Sequence, residues 1–464
     1  MNPIANFEGP QLDATDPDYE RARRVWNGAI DRRPLLIARC LGVNDVRAAL
    51  AHARRHDLPV AVRGGGHSLA GHGVCDGLVI DLGLMNRVSV DAASRVGVVG
   101  PGAKWADVDD ATRPHLLATP GGDTSTVGVA GLTLGGGLGW LSRMHGMSSD
   151  NLVGAEVVTA DGERLLADDS SHPDLFWAIR GGGGNFGVVT ELRFRLHPVP
   201  PTLLAGVLHH PVEAGAEVLG RIEELTSELP DEVSWAAAFL TGPAADALPA
   251  PLRGRPMLAV RLCYVGEPDQ RAVAALAPLR ALGPPLLDGV CPMSYATLQR
   301  LTDANAPFGL LYASASEWLC RLGARSIDAF VDAATTATSP LSLSLLNPMG
   351  GAIARRASDA TAFGYRHARF AATIVAGWAS PAEDPAPHRA WARRLWEALL
   401  PASAGGGYVN ILGDEGPDRV RGAYGERTYA RLVEVKDRYD PTNVFRSNQN
   451  VQPSSFASEV AVGR

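Results

Sequence analysis

Residues 63–68 read Arg63-Gly64-Gly65-Gly66-His67-Ser68, directly after the apolar run Leu58-Pro59-Val60-Ala61-Val62. A short β-branched run of this kind reads as a buried strand. Three glycines at its end cost backbone entropy and supply no side chain, so something is expected to approach the main chain closely there. Two more glycine-rich stretches follow: GGDTSTVGVAGLTLGGGLG at 121–139 and GGGGNFG at 181–187. Bare successive N–H groups make concave nests for anions, and the missing side chains let a pyrophosphate touch the backbone. Together the three loops are expected to cradle one large nucleotide.

The third loop formally matches GxGxxG from Gly182 to Gly187, but its context is inverted. Helix-like HPDLFWAIR precedes it and strand-like VVTELRFRL follows, whereas a Rossmann fingerprint runs strand, turn, helix. No GxxxxGK[ST] occurs, which removes the P-loop.

Texture divides the 464 residues into parts. Up to about residue 200, short β-rich runs (RPLLIARC, PVAVR, LVIDL, VGVVG, GAEVVTA) alternate with glycine clusters and one early helical pattern, NDVRAALAHARRHD. The Pro-rich LHPVPPTLL at 196–204 marks a boundary, because consecutive prolines continue neither a helix nor a central strand. Beyond it the glycine clusters disappear and longer helical patterns (VEAGAEVLGRIEELTSEL, DQRAVAALAPLRAL, PHRAWARRLWEALL) mix with the strand patterns PMLAVRLCYVG and RFAATIVAGWA. The last part, YARLVEVKDRYDPTNVFRSNQN, reads as an amphipathic helix, a turn at Asp440-Pro441 and a return segment.

Composition narrows the function. The formal charge of −7 argues against a nucleic-acid or anionic-membrane surface, which needs clustered Lys and Arg, and leaves small molecules as partners. Five cysteines (Cys40, Cys75, Cys263, Cys291, Cys320) are scattered, with no CxxC pair, so neither a disulfide framework nor a zinc site is indicated. His72 lies near Cys75 and Asp76 but lacks a full ligand set, and a loop histidine is the favoured reading there; no metal is expected. The N-terminus lacks an apolar signal core and no run reaches membrane-spanning length, so a cytoplasmic protein is expected.

VRGGGHSLAGHGV, GGDTSTVGVAGLTLGGGLGWLSRMHGMSSDNLVGAEVVTADG, DLFWAIRGGGGNFGVVTELRFRL and YARLVEVKDRYDPTNVFRSNQN, in that order, resemble the berberine-bridge-enzyme-type flavin oxidases of the vanillyl-alcohol-oxidase-like superfamily. The resemblance is close over about 30–200 and 400–452 and loose between. It implies an α+β chain whose PCMH-type FAD-binding domain, residues 1–200, is split in sequence around a substrate domain, 201–404, with an antiparallel sheet flanked by helices; 405–464 returns to the FAD domain. It implies a single 8α-histidyl link from FAD to His67, with Arg63, Gly64, Gly65, Gly66 and Ser68 lining the pyrophosphate. Doubly linked relatives take their second bond from a cysteine where this chain has Thr124, so no 6-S-cysteinyl link is expected.

Further cofactor contacts are implied at Gly122, Asp123, Thr124, Thr126, Val127, Gly128, Val129, Gly131, Gly135, Gly136, Gly137 and Gly139, at Asn151, and at Gly187 and Val189. Val129 falls where the family gates oxygen; plain packing is the other reading. Asn448 and Asn450, with Gln449 between them, either hydrogen-bond the polar edge of the flavin or cap the final turn.

The substrate side is less determined. The family's YxNY-like motif reads Tyr408-Val409-Asn410-Ile411 here, and the missing second tyrosine weakens a carbohydrate-oxidase reading, since removing hydride from a carbinol needs an acceptor for the hydroxyl proton. Tyr408 and the cluster Tyr365, Arg366 and His367 are the catalytic candidates; ordinary strand alternation is the rival reading of the cluster. Tyr312 and Trp318 either line the pocket or fill the core. The expected activity is oxidation of an amine or a polyketide- or alkaloid-like natural product, with O2 as acceptor, H2O2 as product, and the chain acting as a monomer or homodimer. A sugar oxidase on the same scaffold and a flavin-binding protein without turnover are the alternatives.

Overall fold

Three runs of β-branched and leucine residues, Leu36–Arg39, Val60–Arg63 and Leu78–Asp81, pair in parallel, with Leu78–Asp81 in the middle and buried along its whole length. Parallel strands covered on both faces need such continuous apolar runs. The helix Val43–Arg55 crosses between the first two and packs Val46, Ala49, Leu50 and Ala53 against Leu36, Leu78 and Ile80. The computed structural model describes residues 3–246 and 248–456.

A second sheet is antiparallel: Val88–Asp91, Val96–Val99, Val188–Arg195, Leu152–Val158 and Arg164–Ala167, in that spatial order. The GxGxxG match lies between the helix Pro173–Ile179 and the strand Val188–Arg195, the reverse of a Rossmann unit.

The third sheet has eight strands and is antiparallel throughout. Its spatial order is Leu287–Asp288, Leu203–Pro211, Pro256–Tyr264, Val233–Thr241, Leu343–Pro348, Phe370–Trp378 and Leu311–Leu319, with Cys291–Met293 also pairing Leu203–Pro211. Side chains alternate between its faces. One set, including Trp235, Phe239, Val260 and Ile374, forms a core with Val218, Ile222, Leu276, Phe330, Trp391 and Leu395 of the helices Gly215–Thr226, Gln270–Arg280, Ala324–Thr335 and Ala386–Leu399. The opposite face looks toward the glycine-rich loops.

The helix Glu426–Tyr439 packs beside Pro173–Ile179, and the chain then runs back along the third glycine loop, where Asn185 holds Gln449 and Val451. Among the described residues no helix is long and apolar enough to cross a membrane.

Candidate active site

The strand Val60–Arg63 delivers its glycines against the second glycine segment. A Cβ at Gly65 would stand 2.5 Å from the Gly128 main chain, and one at Gly128 would stand 2.5 Å from the Gly65 nitrogen. The two backbones touch, and only glycine permits it. The third segment closes on the second through Gly181 and Gly183, whose N–H groups both donate to the Leu134 carbonyl at 2.9 Å. All three loops therefore form one cradle. A Cβ at Gly131 or Gly184 would meet no protein atom, so these two leave space open.

His67 stands at the end of this cradle. Its Nε2 lies 3.0 Å from Thr126 Oγ1, its ring stacks on Trp26 at 4.9 Å, and Trp26 stacks on Tyr312 at 4.1 Å. Burial, then the Lys104 charge, lower the His67 pKa to about 4. At neutral pH the imidazole is therefore uncharged and keeps one nitrogen lone pair. A strap at 302–310 holds this end in place: Thr302 donates to the Asp123 carbonyl (2.6 Å), Asp303 accepts from Ser125 N–H and Oγ, and the Ala306 carbonyl accepts from Trp26 Nε1.

At the other end, Tyr408 reaches across from the C-terminal segment. Its Oη accepts from Gly137 N (2.8 Å) and Asn410 Nδ2 (2.9 Å), and its own proton finds no protein acceptor among the described residues. Burial pushes the phenol up to about 12, so it is neutral and able to donate. Asn410 also donates to the Leu132 carbonyl, and its Oδ1 fills the space a Cβ of Gly135 would occupy. Sequence reasoning missed Asn410 as a positioning residue because its partner lies 278 residues upstream.

Strand register turns the free face of the third sheet into a grid. One row runs Ala238, Leu345, Thr373, Ser316, and the next Leu240, Leu343, Val375, Ser314. Asn347, Ala371 and Trp318 continue the grid on one side, and Tyr312 beside Gly377 on the other. Ser316 Oγ accepts from Tyr408 N–H, Ser314 donates to the Ile411 carbonyl, and Trp318 packs on Tyr408 at 5.3 Å, so this face is the wall opposite the cradle. Leu343, Leu345, Val375, Ala238 and Leu240 are all half-buried, giving a wall with an apolar middle and hydroxyls along one edge.

Several candidates from the sequence sit elsewhere in the network. Arg366 makes a two-pronged ion pair with buried Asp150 (2.7 and 2.9 Å) and donates to Thr361. Tyr365 donates to the carbonyls of Gly405 and Gly422, and His367 is exposed. Of the three only Tyr365 shares the buried cluster of Tyr408 and Trp318; Arg366 is fixed by Asp150 and His367 points to solvent, so they do not form a set. Arg63 pairs with Asp81 beneath the loop, while Asp123 pairs with Arg261. Asn151 donates to the carbonyls of His145 and Met147, and Val129 is fully buried in the core with Trp105 and Ala130. Thr124 lies 3.3 Å from Thr302 Oγ1.

Asn448 donates to the Gly184 and Phe445 carbonyls, but its Oδ1, the Oδ1 of Asn450 and Nε2 of His72 are buried with no partner among the described residues. Orphaned buried acceptors are costly unless a ligand supplies donors. An open cradle of bare backbone, edged by carboxamide acceptors and ended by a neutral histidine, suits a large polar dinucleotide with hydroxyl and N–H donors.

The cradle, the wall and the neutral His67 beside them suit an FAD-dependent oxidoreductase. Residues 34–167 match the family described as "FAD binding domain" and 407–452 the one described as "Berberine and berberine like". The chain is 32% identical to (R)-6-hydroxynicotine oxidase of Paenarthrobacter nicotinovorans over 97% of each chain, and 30% identical to an FAD-linked oxidoreductase of Dictyostelium discoideum over 97% of this chain and 95% of that one. Its fold matches the crystal structure of 6-hydroxy-D-nicotine oxidase from Arthrobacter nicotinovorans with a TM-score of 0.87 and 29% identity, covering 97% of this chain and 99% of that one. Xylooligosaccharide oxidase from Myceliophthora thermophila shares the fold at 22% identity, with a TM-score of 0.85 over 96% and 97% of the two chains. The protein belongs to the berberine-like family of FAD-linked oxidases, with a PCMH-type FAD-binding fold.

Proposed function

We propose that the protein oxidises an amine or a polyketide- or alkaloid-like natural product, with FAD tethered through His67 alone, and passes the electrons to O2. The observation that carries this reading is the wall: Leu343, Leu345, Val375, Ala238 and Leu240 give an apolar ring system a continuous face and, among the described residues, leave a sugar's many hydroxyls only Thr373 and Asn347 as unengaged polar neighbours. Ile411, at the position of the absent second tyrosine, offers no group to take a carbinol proton.

Bound FAD supplies the redox chemistry, taking hydride from the substrate and yielding H2O2 with oxygen. The chain supplies the rest. Neutral His67 offers a nitrogen for the 8α bond, the glycine backbones of 64–66 and 128 offer donors to the phosphates, and Asn448 and Asn450 offer acceptors. Tyr408 holds a proton at Oη, positioned by Gly137 and Asn410, for a polar atom of the substrate or cofactor. Cofactor contacts come from 1–200 and 405–464, and the wall from 201–404. The protein works in the cytoplasm as a monomer or homodimer.

Acid denaturation followed by digestion tests the tether: flavin is expected on the peptide containing His67 and on no other, and His67→Ala is expected to release it. Peroxide release tests the substrate class. Turnover of aldoses but of no amine or aromatic natural product would overturn it.

A further inference from the structure

Beside the apolar wall a cavity of about 40 Å³ opens between the third sheet and the second glycine segment. Its lining includes Asp123, Trp140, Arg143, Ser234, Arg261 and Asn347. Arg261 is buried, lies over the Trp140 ring at 5.3 Å, and pairs with Asp123 at 2.7 Å, yet its Nε has no partner among the described residues. Arg143, also buried, directs its donors to the backbone carbonyls of Val233, Met349, Leu229 and Pro230, and no carboxylate lies within ion-pair distance among the described residues. The Arg143 charge is thus met by carbonyl dipoles and, beyond ion-pair distance, by Asp231, which itself pairs with Arg355, whereas Arg261 has the single carboxylate of Asp123. The Asn347 carboxamide makes no hydrogen bond within the described protein and stands two residues from Leu345 on the same face, about 7 Å along the strand.

A buried guanidinium N–H without an acceptor is costly, and Arg261 Nε and the Asn347 carboxamide, on two residues lining the same cavity, match an anionic oxygen group. The volume exceeds the 10–15 Å³ or so that one water needs and is too small for a ring. We infer that this cavity is the subsite for a carboxylate on the substrate, held by Arg261 and Asn347 while the apolar body lies along Leu345 and Leu343. The inference rests on reading the wall as the substrate site, and it narrows the substrate class to carboxylate-bearing molecules.

The test is equilibrium titration of the flavin-loaded protein with benzoate and with benzamide, its neutral counterpart, followed by the flavin absorbance difference spectrum. Benzoate is expected to bind at least tenfold more tightly than benzamide, with the preference shrinking as salt rises. Arg261→Gln is expected to bring the two to parity. Because that variant also strands Asp123, Asp123→Asn provides a second arm: it frees Arg261, and benzoate is expected to tighten several-fold while benzamide is unchanged. Equal affinities in the wild type, no saturable benzoate binding, or a benzoate-to-benzamide ratio untouched by Asp123→Asn would overturn the subsite. Neither ligand is oxidised in this titration, so failure of the substrate reading shows separately, in peroxide release.

Discussion

At Gly65 a single hydrogen atom separates a working cradle from a collision. Gly65→Ala drives a methyl group into the Gly128 main chain, which cannot swing aside as a side chain would. The expected cost is about 1–3 kcal/mol of stability, and because the loops part where the proposed phosphate donors lie, flavin content should fall further than the melting temperature. Gly184→Ala is the control, since its Cβ meets nothing in the protein; it should fold normally and report only crowding of the cofactor. At Tyr408, removing the hydroxyl leaves the Gly137 N–H without its acceptor, at about 1–3 kcal/mol, and takes away the proton aimed out of the network. Tyr408→Phe is expected to lower kcat by about 10²-fold or more with the flavin still attached, read by stopped-flow flavin reduction. The close backbone approach at Gly65 was legible in the sequence because three glycines stand together at the end of a buried strand. Arg366 was not: nothing in FGYRHARF shows that its partner Asp150 lies 216 residues upstream.

Among the elements, the helix Trp105–Thr112 and the short helix Tyr295–Gln299 meet through a buried polar cluster under the second glycine segment. Asp109 Oδ2, Tyr295 Oη and Gln299 Oε1 all lack partners among the described residues, while Gln299 Nε2 donates to the Gly122 carbonyl. Burial raises the Asp109 carboxyl to about 7. A carboxyl raised in the fold binds its proton there more tightly than in the unfolded chain, so its stabilising contribution is full below about pH 4 and is lost as pH rises through about 7. Between pH 5 and 8 the wild type should therefore lose on the order of 2–4 kcal/mol relative to Asp109→Asn, whose amide keeps the shape without titrating. Thermal melts of the two proteins across that range check this, and parallel curves would rule out the raised carboxyl. His67, His72 and His197 are held near 4 and act in the opposite sense, weakening the fold as pH drops from about 6.5, which is why the comparison with the variant is the informative one. The strands Pro256–Tyr264 and Phe370–Trp378 and the helices Gly215–Thr226, Gln270–Arg280 and Ala386–Leu399 were readable from their periods within a few residues at each end, but the strands Leu203–Pro211, Val233–Thr241, Leu311–Leu319 and Leu343–Pro348 were not singled out. The spatial order of the eight strands was not readable, and the apolar grid exists only once that order brings Leu345 beside Thr373 and Ala238.

Across the whole molecule, the site depends on a C-terminal segment returning to loops more than 200 residues away, and one buried ion pair governs that return. Lys436 is fully enclosed and donates to the Asn185 carbonyl (2.8 Å), to Asp440 (2.7 Å) and to the Phe445 carbonyl (3.0 Å), so all three of its protons are used. Asp440 in turn accepts from the Val444 and Phe445 N–H groups, which shapes the turn that sends Asn448 and Asn450 toward Gly184. Lys436→Met leaves Asp440 charged and buried without its cation, held only by two backbone N–H groups, and it also orphans two carbonyls, so a loss of about 3–5 kcal/mol is expected. The added change Asp440→Leu removes the stranded charge and should recover part of that loss, but not all, because the turn N–H groups then lose their acceptor. The two variants separate stability from function: if the turn positions Asn448 and Asn450 for the cofactor, the double variant should melt nearer the wild type than Lys436→Met does and still retain less flavin. Flavin content recovering in step with stability would show instead that this return segment holds the fold together and leaves the cofactor to the glycine loops.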